Sequence, residues 1–176
     1  MKALRGLRYA IALTLLSLTV GCQTPDAPIG STSLNSRYND EQPALSGDGR
    51  WLAFVSNRNG RSEILVYDRR QKRFVQLPGL LVQDAIAQSP SLSLTGRYMT
   101  YLINNQGRAD LALYDRAIGR SQILSGNYRS WIANPKISPN GRYIVFESAR
   151  KGQWDIEVLD RGPEIELDIP EGSPVN

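Results

Sequence analysis

The chain has 176 residues, of which 41% are apolar and 22% charged, a balance that argues against disorder and suits one domain or two small ones. Its formal charge of +4 is concentrated at the N-terminus: setting Lys2, Arg5 and Arg8 aside leaves 18 basic against 17 acidic residues. A nucleic-acid partner needs a concentrated basic surface, and none is expected here.

Residues 1–21 read as an export signal. Lys2, Arg5 and Arg8 precede an apolar run, YAIALTLLSLTV from Tyr9 to Val20, and Gly21-Cys22 follows. A helix of 12 residues is too short for a hydrocarbon layer about 30 Å thick. The segment LTVGC resembles a bacterial lipoprotein lipobox. Gly21 and Val20 fit it, whereas Thr19 stands where Leu is preferred and Leu18 comes one position early. The resemblance implies cleavage before Cys22 and acylation of its sulfur, which makes Cys22 a lipid anchor. Gln23, rather than Asp, after the Cys implies the outer membrane under the enterobacterial sorting pattern. The expected location is therefore the periplasmic side of a bacterial envelope. Ordinary cleavage nearby, leaving a soluble periplasmic protein, is the alternative. Cys22 is the sole cysteine, so no intramolecular disulfide forms. Residues 22–40, which begin polar and Pro-rich, read as a flexible tether.

Three tandem copies of one pattern occupy residues 41–169. The first contains PALSGDGRWLAF from Pro43 and EILVYD ending at Asp68. The second contains PSLSLTGRYMTY from Pro90 and DLALYD ending at Asp115. The third contains PKISPNGRYIVF from Pro135 and DIEVLD ending at Asp160. Pro43, Gly49, Phe54, Gly60 and Asp68 recur at an offset of 47, and then again at 45. Such fixed register marks a repeat architecture. The blades fall at about 41–78, 88–125 and 133–169, with a tail over 170–176.

Each copy predicts a four-stranded antiparallel meander. A short first strand ends at Leu45-Ser46, Leu92-Ser93 or Ile137-Ser138. A turn follows with Gly49, Gly96 or Gly141, where glycine supplies a positive φ. The second strand has aromatic residues three apart: Trp51 and Phe54, Tyr98 and Tyr101, Tyr143 and Phe146. Odd spacing puts them on opposite faces, so both faces need cover. The third strands are ILVY, LALY and IEVL, and the weaker fourth strands lie at Arg73–Leu77, Ser121–Leu124 and Glu164–Leu167. No segment after the signal has 10 residues of helical periodicity, so other sheets must provide the cover, as they do in a propeller.

SPNGRYIVF, Ser138 to Phe146, resembles the repeat of TolB-type six-bladed propellers, which also occurs in prolyl-oligopeptidase-like propellers. The resemblance covers residues 41–169. It implies an all-β fold of three four-stranded blades, a partial or half six-bladed propeller, behind an N-terminal signal helix. About 20 residues separate Cys22 from the first repeat, too few for the α/β domain that precedes the propeller in TolB.

Three blades fall short of the four to eight of closed propellers, which leaves apolar end faces. Two chains pairing head to tail as a homodimer would complete six blades. A different propeller protein accepting the arc is a second solution. An open arc capped by Ser31–Asp40 and the C-terminal tail is a third.

The chain has no histidine, which excludes a Ser-His-Asp triad and His-based metal sites. Its one thiol precedes the fold. The GDGR at Gly47–Arg50 reads as a turn rather than a phosphate cradle. No cofactor, metal or catalytic residue is expected. Glu63, Asp110 and Asp155 open the third strands, and Asp68, Asp115 and Asp160 close them. Repetition favours structural acceptors for backbone N–H groups or Arg, with a carboxylate-lined cation site as the alternative. Arg50, Arg97 and Arg142 read as structural in the same way.

Loops between second and third strands share one face with the connections between blades. That face carries Arg58, Arg61, Arg108, Arg150 and Lys151, with Tyr128 and Trp131, and is the expected protein-binding site. Trp131 packing between blades is the competing reading. The expected function is a non-catalytic, protein-binding envelope lipoprotein, for which the TolB resemblance implies a role in envelope integrity or transport. The alternatives are a carboxylate-dependent hydrolase or enzyme-associated propeller fragment, and a structural remnant of a longer propeller.

Overall fold

A computed structural model describes residues 33–80, 86–105, 107–126, 128–170 and 172–174. The export signal and Cys22 lie outside the described residues. Among the described residues every regular element is a strand, and the strands form three antiparallel sheets in chain order. The first blade is β1 (Asp40–Leu45), β2 (Trp51–Ser56), β3 (Glu63–Asp68) and β4 (Arg73–Val75). The second is β5 (Ile86–Leu92), β6 (Tyr98–Asn105), β7 (Arg108–Asp115) and β8 (Arg120–Ile123). The third is β9 (Ile132–Ile137), β10 (Tyr143–Ser148) and β11 (Asp155–Asp160).

The sheets stack face to face, as the two-sided apolar pattern requires. Trp51, Ala53, Val55, Ile64 and Val66 of blade 1 pack on Met99, Tyr101, Ala112 and Tyr114 of blade 2. The other face of blade 2, through Tyr98, Leu102, Leu111 and Leu113, packs on Ile132, Ile144 and Phe146 of blade 3. Blade 2 is thus buried on both faces, while blades 1 and 3 each have one outward face.

Each innermost strand contains a bulge at the same repeat position. The register shifts between Glu41 and Ala44, between Gln88 and Ser91, and in β9 opposite Val145 and Glu147. Gln42, Ser89 and Asn134, each just before a proline, sit at φ of 53, 53 and 49°. Proline cannot donate to the ladder, so Pro43, Pro90 and Pro135 fit a bulge and not regular pairing. The bulges also link blades: the Ser89 amide donates to Gln42 Oε1 at 2.6 Å.

The third blade departs from the expected pattern in one element. Residues 164–167 add no fourth strand; the sheet holds only β11, β10 and β9. Gly162, at φ 94°, and Pro163 follow β11 and turn the chain away from its edge. The segment crosses to blade 2, where its acidic groups meet donors. Glu166 pairs with Arg97 at 2.7 Å, and its carbonyl accepts the Tyr98 hydroxyl. Asp168 accepts the Thr95 amide at 2.8 Å and the Thr95 hydroxyl, and its own amide donates to the Asn140 carbonyl. Asp168→Ala removes both side-chain acceptor contacts. It should cost about 1–2 kcal/mol and expose residues 161–170 to protease, read as faster cleavage there in limited proteolysis.

Candidate functional site

The turns between first and second strands repeat one hydrogen-bond pattern. Ser46, Ser93 and Ser138 accept the amides of Trp51, Tyr98 and Tyr143 on Oγ at 2.9, 3.0 and 2.9 Å. Arg50, Arg97 and Arg142 pair with Asp68, Asp115 and Asp160 at 2.8, 3.2 and 2.9 Å. Backbone amides bond the same carboxylates: Arg70 and Gln71 to Asp68, Ala117 to Asp115, and Gly162 to Asp160. The strand-closing carboxylates are therefore structural acceptors.

A second set of contacts joins one blade to the next. Arg116 of blade 2 lies 3.6 Å over the Trp51 ring of blade 1, and Arg161 of blade 3 lies 4.4 Å over the Tyr98 ring of blade 2. Each ring also takes its own blade's arginine, Arg50 at 4.4 Å and Arg97 at 4.9 Å. Such stacking contributes about 0.5–2 kcal/mol per pair. The same rings close onto the next blade's turn glycine. A Cβ on Gly96 would come within 2.7 Å of Trp51, and one on Gly141 would overlap Tyr98. Backbone bonds run between the turns as well: Asp48 N to Leu94 O and Leu94 N to Pro139 O, both 2.9 Å.

Blade 3 carries the ring of a third such joint without its counterpart. Among the described residues, only Arg142 of its own blade stacks on Tyr143, at 5.1 Å. Tyr143 is 36% exposed, against 8% for Trp51 and 2% for Tyr98. The cross-strand pair Val145 and Val158 lies on the same face, with Ile156 beside it. Ile156 and Val158 are 72% and 63% exposed, whereas their counterparts in blade 2, Leu111 and Leu113, are buried. Trp154, also exposed, continues the alternation one residue before β11. This outward face is the candidate site. A contiguous set of large apolar side chains of this kind marks an interaction surface.

The expected loop face is assembled only in part. Arg58 is held inward: it donates to the Ser33 and Leu34 carbonyls, pairs with Asp40 at 2.8 Å, and lies over Phe54 and Phe74. It clamps residues 33–40 onto blade 1. Tyr128 packs edge-on against Phe146, and its hydroxyl donates to Ser148 Oγ at 2.8 Å. Arg150 lies over Tyr128 and pairs with Glu157, and Lys151 pairs with Asp155 at 3.6 Å. Arg61 and Arg108 lean on Glu63 and Asp110 at 3.7 and 3.5 Å. Trp131 does not pack between blades; it is 62% exposed. Its carbonyl accepts the Ala149 amide, and the register of β10 with β11 puts Trp154 in the same row. The two tryptophans thus stand two strands apart at one edge, roughly 10 Å by strand spacing.

Neither Trp154 nor the arginine of the joint was singled out from the sequence. The signal was present: Arg69, Arg116 and Arg161 each follow the aspartate that closes a third strand.

No protein-family profile matches the chain, and no curated protein does. Solved structures do. TolB from Acinetobacter baumannii aligns with a TM-score of 0.59 at 21% identity, over 74% of this chain and 32% of that one. A protein assigned as TolB from Agrobacterium tumefaciens gives 0.57 at 22%, over 74% and 45%. A puromycin-hydrolysing peptidase from Mycobacterium tuberculosis gives 0.52 at 16%, over 76% and 24%. The fold is a TolB-like β-propeller arc. The chain spans about a third to under half the length of the two TolB structures. Both TolB and peptidase propellers share the blade pattern, so the likeness speaks to fold and leaves activity to the surfaces.

Proposed function

We propose that this TolB-like chain is a non-catalytic, protein-binding module on the periplasmic side of a bacterial envelope. The observation that carries the reading is the uncovered outward face of blade 3, with Tyr143, Val145, Trp154, Ile156 and Val158 where blade 2 buries its counterparts. The export signal and lipobox-like LTVGC support delivery to the envelope with Cys22 as anchor. The likeness to TolB structures supports a role in envelope integrity or transport. The repeated carboxylates support the absence of catalysis, because they are spent on arginine and backbone partners.

The test is retention of proteins from envelope extract on the tagged chain and on its Ile156→Asp variant, identified by mass spectrometry. At least one protein, a second copy of the chain included, should be retained by the wild type and lost about tenfold or more in the variant. An apolar anchor at the centre of an interface is worth roughly 2 kcal/mol or more, which sets that scale. Identical retention by both chains overturns the reading.

A further inference from the structure

We infer that the outward face of blade 3 is covered by the outward face of blade 1 from a second copy of this chain, so that two copies close one six-bladed ring. The inference rests on reading blade 3 as a protein-binding surface and names its occupant.

The two joints inside the chain define what a joint needs. The leading blade offers an aromatic ring. The following blade offers a turn glycine beneath that ring and an arginine over it, the arginine being fixed by a hydrogen bond to that same glycine's carbonyl. Arg116 Nε bonds the Gly96 carbonyl at 2.9 Å, and Arg161 Nη1 bonds the Gly141 carbonyl. Blade 3 offers the ring, Tyr143, with no following blade among the described residues. Blade 1 offers the other half. Arg69 Nη1 bonds the Gly49 carbonyl in the same way, and no ring lies over Arg69 among the described residues. Gly49 has φ 68°, matching Gly96 at 69°, and a Cβ there would meet nothing nearer than Arg69 Nη1 at 3.5 Å. The space that Trp51 and Tyr98 fill at the internal joints is open at Gly49.

The apolar surfaces match as well. Leu52 of blade 1 is the counterpart of Met99, which takes side chains of the preceding blade at the first joint, whereas Phe54, the counterpart of Tyr101, is already covered by Phe74 and Arg58 of its own blade. Together with Leu34 and Pro43, Leu52 and Phe54 line a shallow pocket of about 130 Å³. Leu45, paired with Leu52 across β1 and β2, is exposed beside it. β-Branched Val145, Ile156 and Val158 of blade 3 suit a shallow apolar wall. Residues 33–40, held by Arg58, cover blade 1 towards the loop end and leave the Gly49–Arg69 end free. The C-terminal segment crosses the turns of blades 2 and 3 and leaves Tyr143, Ile156 and Val158 exposed. Among the described residues, neither terminal segment supplies the missing half-joint.

The number of copies follows from closure. Closed propellers hold about four to eight blades, and six is the one multiple of three in that range. A two-fold axis along the ring makes two identical joints and leaves no free end, whereas an unclosed head-to-tail contact would propagate into fibres.

Two differently tagged full-length chains, co-expressed and extracted in mild detergent, provide the test. Each tag should recover the other, in a particle whose protein mass is that of two chains. Ile156→Asp on blade 3 should cut that recovery at least tenfold. Gly49→Ala on blade 1 should do the same, because its Cβ occupies the place of the Tyr143 ring, and Arg69→Glu is the second blade 1 variant should Gly49→Ala fold poorly. Gly152→Ala, in a loop with open space around it, should leave recovery unchanged. Co-expressing the Ile156→Asp chain with a blade 1 variant should restore recovery, since one joint of that ring then has both sides intact. The inference is overturned if wild-type copies do not recover each other, or if the mixed pair recovers no more than either variant alone. Separate copies that instead hold a different envelope protein, lost in Ile156→Asp, overturn self-pairing and leave the protein-binding reading standing. Separate copies with no Ile156-dependent retention overturn both.

Discussion

Gly141→Ala is expected to lower the free energy of unfolding by about 2–5 kcal/mol, and Gly96→Ala by a similar amount. Two costs add. The backbone at these positions is left-handed, with φ of 80° and 69°, a conformation that costs a residue with a Cβ about 1–2 kcal/mol. The new methyl also meets an aromatic ring of the preceding blade, Tyr98 or Trp51. Neither ring can retreat easily, since each holds two guanidinium groups against it, at 3.6 and 4.4 Å for Trp51 and 4.4 and 4.9 Å for Tyr98. Overpacking a site of this kind costs about 1–3 kcal/mol. Gly152→Ala separates the terms: its φ is 85° but nothing lies within 4 Å, so only the backbone cost applies, about 1–2 kcal/mol. Urea unfolding of the three variants measures the difference as a shift in midpoint at unchanged slope. Equal losses in all three would mean that the rings do not close on the turns.

Asp68→Ala is the second large effect expected, about 2–4 kcal/mol. Asp68 is fully buried and accepts Arg50 through Nε and Nη2, and the amides of Arg70 and Gln71. Truncation leaves those donors without their acceptor beside a core. Asp68→Asn keeps an acceptor for the amides and should lose about half as much. The carboxylate also sets an acid limit. Burial by itself raises its pKa, but the Arg50 hydrogen bond and the two amides outweigh burial and hold it below the ordinary carboxylate value. A group depressed on folding contributes stability fully above its unfolded pKa, about 4 for Asp, and that contribution disappears as pH falls through the folded value. Arg97 and Arg142 depress Glu166 and Asp160 in the same direction. The chain has no histidine, so unfolding free energy should be nearly flat from about pH 5 to 8 and fall below about pH 4. Asp68→Asn should flatten part of that acid slope. A stability that rises on going from pH 5 to pH 3 would contradict the assignment.

The arginines that make the joints illustrate how far sequence reading reaches. Arg50, Arg97 and Arg142 recur beside an aromatic and pair with a recurring aspartate, so their structural role is legible from spacing alone. Arg69, Arg116 and Arg161 recur just as regularly. The partners of Arg116 and Arg161, however, are rings about 65 residues away in the preceding blade, a separation no local pattern reveals. Arg58 fails in the opposite sense. A cationic loop residue reads as free to bind, but its guanidinium turns inward onto Phe54, Phe74 and the 33–40 segment because those acceptors and rings lie within reach once blade 1 is folded.

The three repeats determine the all-β class, the strand order within each blade and the glycine turns, because alternation, turn chemistry and register are local properties repeated three times. They also show that both faces of every sheet must be covered. Which faces actually are covered was settled by tertiary packing alone. Blade 2 is enclosed by its neighbours, blade 1 is partly closed by its own N-terminal segment, and blade 3 keeps Tyr143, Ile156 and Val158 in solvent. The residues of 164–167 have the alternation of an edge strand, yet they leave blade 3. Glu166 and Asp168 find Arg97 and Thr95 across the joint, and charged groups follow the donors that the assembled blades present.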